Sequence, residues 1–210
     1  MPPALPLDAV YTSHWCEENV YLLVQSFQHP SISELWDVFA VFISNHAKMV
    51  ALWNQKLSKE PGLPVVWDYH VITVLRSRQD SLRTESWVYD FDTTLGMPVT
   101  WDTYFAQTFS TNVPEAFQSA VFSEWIPANI YLDRFASDRS HMLDKAVSDL
   151  KYLQPPPLYP AIRGKLCKSA IIHNLMDFVS MLPTDGYGDV KDMQAISEFL
   201  GQPEDPEEGS

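Results

Sequence analysis

The sequence predicts an α+β domain in which a helix packs against an antiparallel sheet, and three stretches carry that expectation. Residues 64–75 are crowded with Val, Ile, Thr, Tyr and Trp, side chains that suit a pleated surface better than a helix. Residues 85–92 alternate Trp87, Tyr89 and Phe91 with Val88, Asp90 and Asp92, the period of a second strand. In 16–28, by contrast, Cys16, Val20, Leu23, Val24 and Phe27 recur at helical spacing ahead of Pro30. The two strands flank a polar, turn-like segment and read as a hairpin centred near Asp80. That centre sets His70 opposite Asp90, with β-carbons ~4.5–5.5 Å apart. A centre one residue later sets it opposite Asp92. Either register gives the histidine a carboxylate.

Taken in order, residues 1–9 form a Pro-rich lead-in expected to be flexible, 10–201 the single domain, and 202–210 an acidic tail expected to be disordered. Thr12 and Ser13 are candidate N-caps for the first helix, and Glu17 and Glu18 complement its dipole. Cys16 falls at the helix start on the buried stripe. A thiol there feels the positive end of the dipole and loses pKa, the common route to a cysteine nucleophile. The plain alternative is a small buried hydrophobe. Residues 33–36 suit a helical turn. The apolar runs 37–44 and 48–53, joined by Ser44-Asn45-His46-Ala47, predict a hairpin.

Along 64–75 the alternation puts Val66, Asp68, His70, Ile72 and Val74 on one face, and Val65, Trp67, Tyr69, Val71 and Thr73 on the other. Trp67 is therefore expected in the core. Taken alone, His70 is as well explained by a buried histidine bonded to a neighbour. Thr100 opens a helix and Val113 a shorter one, while 124–132 read as loop and short strand. Residues 135–142, dense in polar side chains, suggest an N-cap cluster opening a helix, with a pocket wall as the alternative. Residues 155–160 must be extended and polyproline-like, a strap on the surface or a ligand for a signalling domain. Residues 163–168 form a basic loop carrying Cys167. Asn174 and Asp177 resemble a capping box, Gly186 to Gly188 a turn, and 192–200 a last helix ended by Gly201.

A chain of 210 residues fits one domain, and its 46% hydrophobic and 13% aromatic content excludes wholesale disorder. Net charge is −13 with no basic block, which argues against nucleic acid, and no apolar run is long enough for a membrane helix. Two cysteines without an export signal predict reduced thiols and a cytoplasmic, or also nuclear, protein; a monomer is the default.

A cysteine at a helix start, a histidine on a core strand and an aspartate on the next are the ingredients of a thiol triad. The thiolate attacks a carbonyl carbon, the imidazole holds and returns the proton, and the carboxylate fixes the tautomer. Cys16, His70, Asp90 and Asp92 are also zinc-ligand types, but no closely spaced ligand pair accompanies them, and no metal or cofactor is expected.

Trp67-Asp68-Tyr69-His70-Val71 resembles the signature of the WDYHV-motif proteins, the protein N-terminal glutamine amidohydrolases. Cys16-Glu17-Glu18-Asn19 is similar to that family's nucleophile segment and 89–93 to its acid segment. Residues 41–45, Lys48-Met49, 135–142, 155–160, 174–181 and 197–199 follow in the family's order. The resemblance spans about 10–201 and departs from the pattern at 76–84 and 163–173. It implies a three-layer α-β-α sandwich with a cysteine-protease or transglutaminase-like core. It implies deamidation of an N-terminal glutamine to glutamate with release of ammonia, in protein degradation governed by N-terminal residues. Carried over by motif, Cys16 is the nucleophile, His70 the general base and acid, and Asp90, rather than Asp92, the orienting carboxylate. Proteins or peptides with a free N-terminal Gln are the implied partners. Candidates for holding the substrate's α-ammonium are Asp68, on His70's face, and Glu18 and Glu17 beside the nucleophile; Trp15 and Trp67 are candidates for the slot walls. The alternatives are a transglutaminase-like acyl transferase, another thiol hydrolase, or a non-catalytic adaptor.

Overall fold

The computed structural model describes residues 1–78, 85–109, 121–146, 151–182 and 186–200. The short helix expected from Val113, the stop at Gly201 and the acidic tail lie outside them. Six strands form one sheet: β1 (Trp36–Ser44), β4 (His70–Ser77), β5 (Ser86–Tyr89), β6 (Val99–Thr100), β7 (Phe122–Pro127) and β8 (Asp189–Asp192). Their order is β6-β5-β4-β1-β7-β8, antiparallel at every pairing. β2 (Val50–Leu52) and β3 (Val65–Trp67) make a separate two-stranded ribbon. The helices are α1 (Cys16–Ser26), α2 (Pro30–Ser33), α3 (Trp101–Thr108), α4 (Ala128–Arg134), α5 (Leu175–Phe178) and α6 (Met193–Phe199).

Alternation along the two central strands builds two cores. Val38, Ala40 and Phe42 of β1, with Val71 and Leu75 of β4, pack with Val20, Leu23, Val24 and Phe27 of α1, Tyr131 of α4 and Phe178 of α5. Val41 and Ile43, with Ile72 and Val74, pack with Trp101 and Tyr104 of α3 and Ile196 of α6. No helix among the described residues is long and apolar enough to cross a membrane.

Four local expectations give way. The 37–53 hairpin does not form, because Asn45 turns the chain out of the sheet: its side chain accepts from the Met49 N–H at 3.0 Å and donates to the Met49 carbonyl at 2.6 Å. β1 pairs instead with β4 and β7. Residues 64–75 are two strands rather than one, broken at Asp68-Tyr69, so their alternation does not carry across the break. Residues 122–134 are the paired strand β7 running straight into α4. Finally, the N-cap of α1 is Trp15, not Thr12 or Ser13, and it makes no side-chain cap. Asn19 reaches back instead, accepting from the Thr12 N–H and donating to the Thr12 carbonyl, both at 2.8 Å. Within the lead-in, Leu5 and Ala9 pack on the core and the Tyr89 hydroxyl donates to the Pro3 carbonyl.

Glu124 is a charged residue fully buried on β7, opposite Phe42. Its Oε1 accepts from the Gly188 N–H at 2.8 Å, and the turn comes so close that a Cβ on Gly186 would collide with the carboxylate. Burial pushes its pKa up to about 7, against the pull of the Gly188 and Tyr187 N–H groups. A folded-state value above the unfolded one means stability is fully present at low pH and is lost as pH rises through about 7. Glu124→Gln keeps the acceptor and removes the titration. Thermal melts should show the wild type losing Tm relative to this variant between pH 5 and 8, whereas parallel curves would refute the assignment.

Candidate active site

The site forms where the start of α1 meets the start of β4. His70 is fully buried as the first residue of β4, and its Nε2 lies 2.9 Å from Asp90 Oδ1. An ionised carboxylate only accepts, so Nε2 carries the hydrogen and Nδ1 is left with its lone pair in the neutral ring. Nδ1 is buried and has no hydrogen-bond partner among the described residues. Trp67 stacks on the imidazole, centroids 5.0 Å apart, and packs half-buried against the core on the side of Ile72 and Val74, not on the opposite face that the alternation predicts. The chain break at Asp68-Tyr69 is what brings it round.

The register places Thr73 opposite Tyr89 and Val74 opposite Val88, the later of the two hairpin centres. Extended, that register would set Asp92 across from His70. However, β5 ends at Tyr89, and Asp90, in the turn that follows, takes the bond. Asp90 is organised by four donors. Oδ1 also accepts from the Asp92 N–H at 2.9 Å, and Oδ2 accepts from Gln55 Nε2 at 3.2 Å and the Tyr104 hydroxyl at 2.9 Å. Burial alone would raise the Asp90 pKa, but the charge and hydrogen bond of His70, with the Asp92 N–H and Gln55, hold it below the usual carboxylate range. Burial likewise lowers the His70 pKa, and Asp90, helped by Asp92, more than reverses this, so the imidazole titrates above its ordinary value. His70, Asp90 and Asp92 offer ligand atoms within 4.8 Å of one another, but both Asp90 oxygens are already committed to donors.

Cys16 opens α1, is 6% exposed, and accepts a hydrogen bond from the Val71 backbone, the residue after His70. Its thiol is not activated in the manner expected from the helix dipole. Burial first, then the charges of Glu17 and Asp92, push its pKa well above the ordinary value, against the Val71 hydrogen bond. Beside it, Glu17 Oε2 is 3.7 Å from Sγ and accepts from the Tyr69 hydroxyl at 3.2 Å, while the Tyr131 hydroxyl donates to the Glu17 carbonyl at 2.8 Å.

Both oxygens of Glu18 are taken. Arg139 Nε and Nη2 donate to them at 2.9 and 2.8 Å, a forked, buried ion pair. The same guanidinium donates to the Pro157 carbonyl at 3.1 Å and the Pro160 carbonyl at 3.4 Å, and Trp15 Nε1 donates to the Pro155 carbonyl at 2.9 Å. Residues 155–160 are therefore a strap stitched to the side chains on either side of Cys16 and Glu17. Pro157 is buried in it and Leu158 points outward. Residues 135–142 wall the site and also open a short 3-10 helix, Ser140–Met142, whose first N–H donates to Asp138 Oδ1 at 2.9 Å; Arg139 holds a left-handed φ of 65° and His141 Nε2 sits 3.3 Å from Glu17 Oε1. Asn174 braces that wall instead of capping α5, accepting from the Ala136 N–H at 2.8 Å and donating to the Arg134 carbonyl at 2.9 Å. Asp68 is exposed, with Oδ1 accepting from the Tyr69 N–H at 3.0 Å.

Residues 11–200 match the N-terminal glutamine amidase family. This chain belongs to that family. It is 40% identical over 193 residues to the protein N-terminal glutamine amidohydrolase of Danio rerio, covering 91% of this chain and 87% of that one. The Bos taurus protein of the same name is 40% identical over 200 residues, 95% of this chain and 89% of the relative. The Homo sapiens one is 39% identical over 199 residues, 94% and 90% of the two chains. Within this amidase family member, sequence reasoning missed Gln55, Tyr104, Tyr131 and Arg139. No local pattern marks the first three, but the polar Asp138-Arg139-Ser140-His141 cluster is a signal, and it serves both as the cap of a short 3-10 helix and as a wall of the site.

Removing one member of the buried Glu18–Arg139 pair strands a charge, which costs about 3–5 kcal/mol. Arg139→Ala should lower the Tm and open residues 151–162 to limited proteolysis. A variant that melts normally, with the strap still resistant, would mean the pair does not hold it.

Proposed function

We propose that this protein hydrolyses the side-chain amide of an N-terminal glutamine to glutamate, releasing ammonia, with Cys16 as nucleophile, His70 as base and acid and Asp90 as orienting group. The observation that carries the reading is the His70–Asp90 pair: one ring nitrogen is fixed by a buried carboxylate and the other is left unpartnered, in a chain whose relatives bear the amidohydrolase name from end to end. The helix start lying against β4, with Cys16 bonded to Val71, supports a cysteine-protease or transglutaminase-like core.

The Cys16 thiol proton passes to His70 Nδ1 as sulfur attacks the glutamine δ-carbon. The first N–H groups of α1 have no acceptor within the helix, and that of Cys16 stabilises the oxyanion. His70 returns its proton to the departing nitrogen, giving ammonia and a γ-glutamyl thioester. It then takes a proton from water as the water oxygen attacks the thioester carbon, and passes it to the departing Cys16 sulfur, leaving glutamate and the free thiol. Asp90 stays ionised throughout and keeps the imidazole in the tautomer that points its free nitrogen away from the carboxylate. The product, a new N-terminal glutamate, would feed protein degradation governed by N-terminal residues.

Cys16→Ala should abolish ammonia release from a Gln-starting peptide while leaving the circular dichroism and melt intact; retained turnover would overturn the nucleophile. The acid limb is set by His70, because a ring already protonated at Nδ1 cannot take the thiol proton. Its raised pKa puts the limb of kcat/KM above the ordinary histidine value of about 6.5. Asp90→Asn removes the charge responsible, so the limb should move to lower pH while the plateau falls about a hundredfold or more. A limb that stays put would separate Asp90 from the histidine's titration.

A further inference from the structure

Glu17 is a carboxylate with no exposed surface, placed next to the nucleophile, and the mechanism above does not use it. Its two oxygens differ. Oε2 accepts from the Tyr69 hydroxyl at 3.2 Å and from the Cys16 thiol at 3.7 Å. Oε1 accepts nothing among the described residues. The nearest polar atom to it in an ion-pair contact, His141 Nε2 at 3.3 Å, is not aligned as a donor, and neither ring nitrogen of His141 has a hydrogen-bond partner. The ring is held in place by the edge of Trp15 and the face of His173, with centroids 5.6 and 5.4 Å away. Leaving two such atoms buried and unpaired is costly, and one compact cation with several N–H donors would satisfy both.

Resting on the amidohydrolase reading, we propose that Glu17, with His141, binds the free α-ammonium group of the N-terminal glutamine, and that this ammonium frees the thiol hydrogen that Glu17 otherwise holds. The lengths fit. Glutamine's α-nitrogen is four bonds from its δ-carbon, roughly 5 Å when extended, and Glu17 Oε2 is 3.7 Å from the sulfur that must reach that carbon. Glu18 is unsuited to the same task because Arg139 already occupies both of its oxygens.

Glu17 faces Tyr69 from the strand side, Tyr131 from α4 and His141 from the wall, while Asp92 and Asp68 add their charge at the thiol. In the empty site these anions favour S–H over thiolate. A bound ammonium cancels the nearest of them, so the proton can leave for His70 only when a chain terminus is in place. A glutamine inside a chain, or one with an acetylated amine, brings no such charge. Selectivity and activation thus come from one contact.

The test uses Glu17→Gln and His141→Asn in the full chain, with Gln-starting and acetyl-Gln-starting peptides and iodoacetamide labelling of Cys16. Glu17→Gln should alkylate about tenfold faster than wild type at pH 7 without substrate, the change one pKa unit gives. It should also raise KM for the free-amine peptide about tenfold or more and narrow the preference over acetyl-Gln. His141→Asn should raise KM in the same way and leave alkylation unchanged. Unaltered KM and selectivity in both variants would overturn the amine site, and an unchanged or slower alkylation of a folded Glu17→Gln would overturn its hold on the thiol. If Glu17→Gln does not fold, a normal KM and preference in His141→Asn overturn the pairing. A wild type that releases no ammonia from any Gln-starting peptide fails the underlying activity instead.

Discussion

The buried Asp90 carboxylate is the constraint on which the site depends. An anion without solvent is tolerable only if its lone pairs are used, and four donors from four places in the chain use them: His70 on β4, the Asp92 N–H, Gln55 from the loop after β2 and Tyr104 on α3. Each bond ties a different element to one point. The register of β4 on β5, the path of the loop and the rotation of α3 must all be right for the charge to be satisfied. The geometry that orients the imidazole is therefore the geometry that joins β4, the end of β5, the loop after β2 and α3. The orientation of His70 and the specificity of the fold are here one requirement.

A second buried charge system stands at the start of α1. Cys16, Glu17 and Glu18 are consecutive, and helical geometry fans them in three directions: toward Val71, toward Tyr69 and His141, and toward Arg139. The forked Arg139 pair neutralises one glutamate and ties down the polyproline strap. The left-handed backbone at Arg139 is the local strain accepted to aim that guanidinium inward. Glu17 has no such countercharge, and its charge adds to burial, the larger cause, in pushing the thiol pKa up. The helix dipole, worth a few tenths to about one kcal/mol near a surface, is too small to offset burial plus two neighbouring carboxylates.

What the sequence makes legible here is composition and period. The Val, Ile and aromatic density of 70–77 and 86–89 marks two paired strands of the sheet, and the spacing of Val20, Leu23, Val24 and Phe27 marks the helix that packs on it. The chemistry-bearing types at Cys16, His70 and Asp90 stand out because polar groups interrupt apolar runs. Illegible is whatever one side chain imposes on the backbone. Asn45 diverts a predicted hairpin, and the break after Trp67 turns an expected core indole onto the imidazole. The end of β5 at Tyr89 lets Asp90 reach His70 from a register that favours Asp92. Donors such as Tyr104 and Gln55 carry no local mark at all, since their partner lies 14 and 35 residues away.

The sign of the charge around the thiol also bears on how a turnover ends. In the proposed reaction a neutral amide becomes a carboxylate at the atom nearest Cys16, where Glu17, Asp92 and Asp68 already raise the cost of negative charge. Substrate enters as a cation with a neutral side chain, and the field favours it. Product leaves as a zwitterion whose new charge is generated against that field. Coulomb repulsion in a poorly solvated site grows as dielectric screening falls, so in the proposed reaction carboxylates that attract an amine also repel the acid. In the proposed reaction one arrangement of acidic groups thereby favours the start of the cycle, disfavours a premature thiolate and releases the product. A cationic lining would do the opposite at each of the three steps.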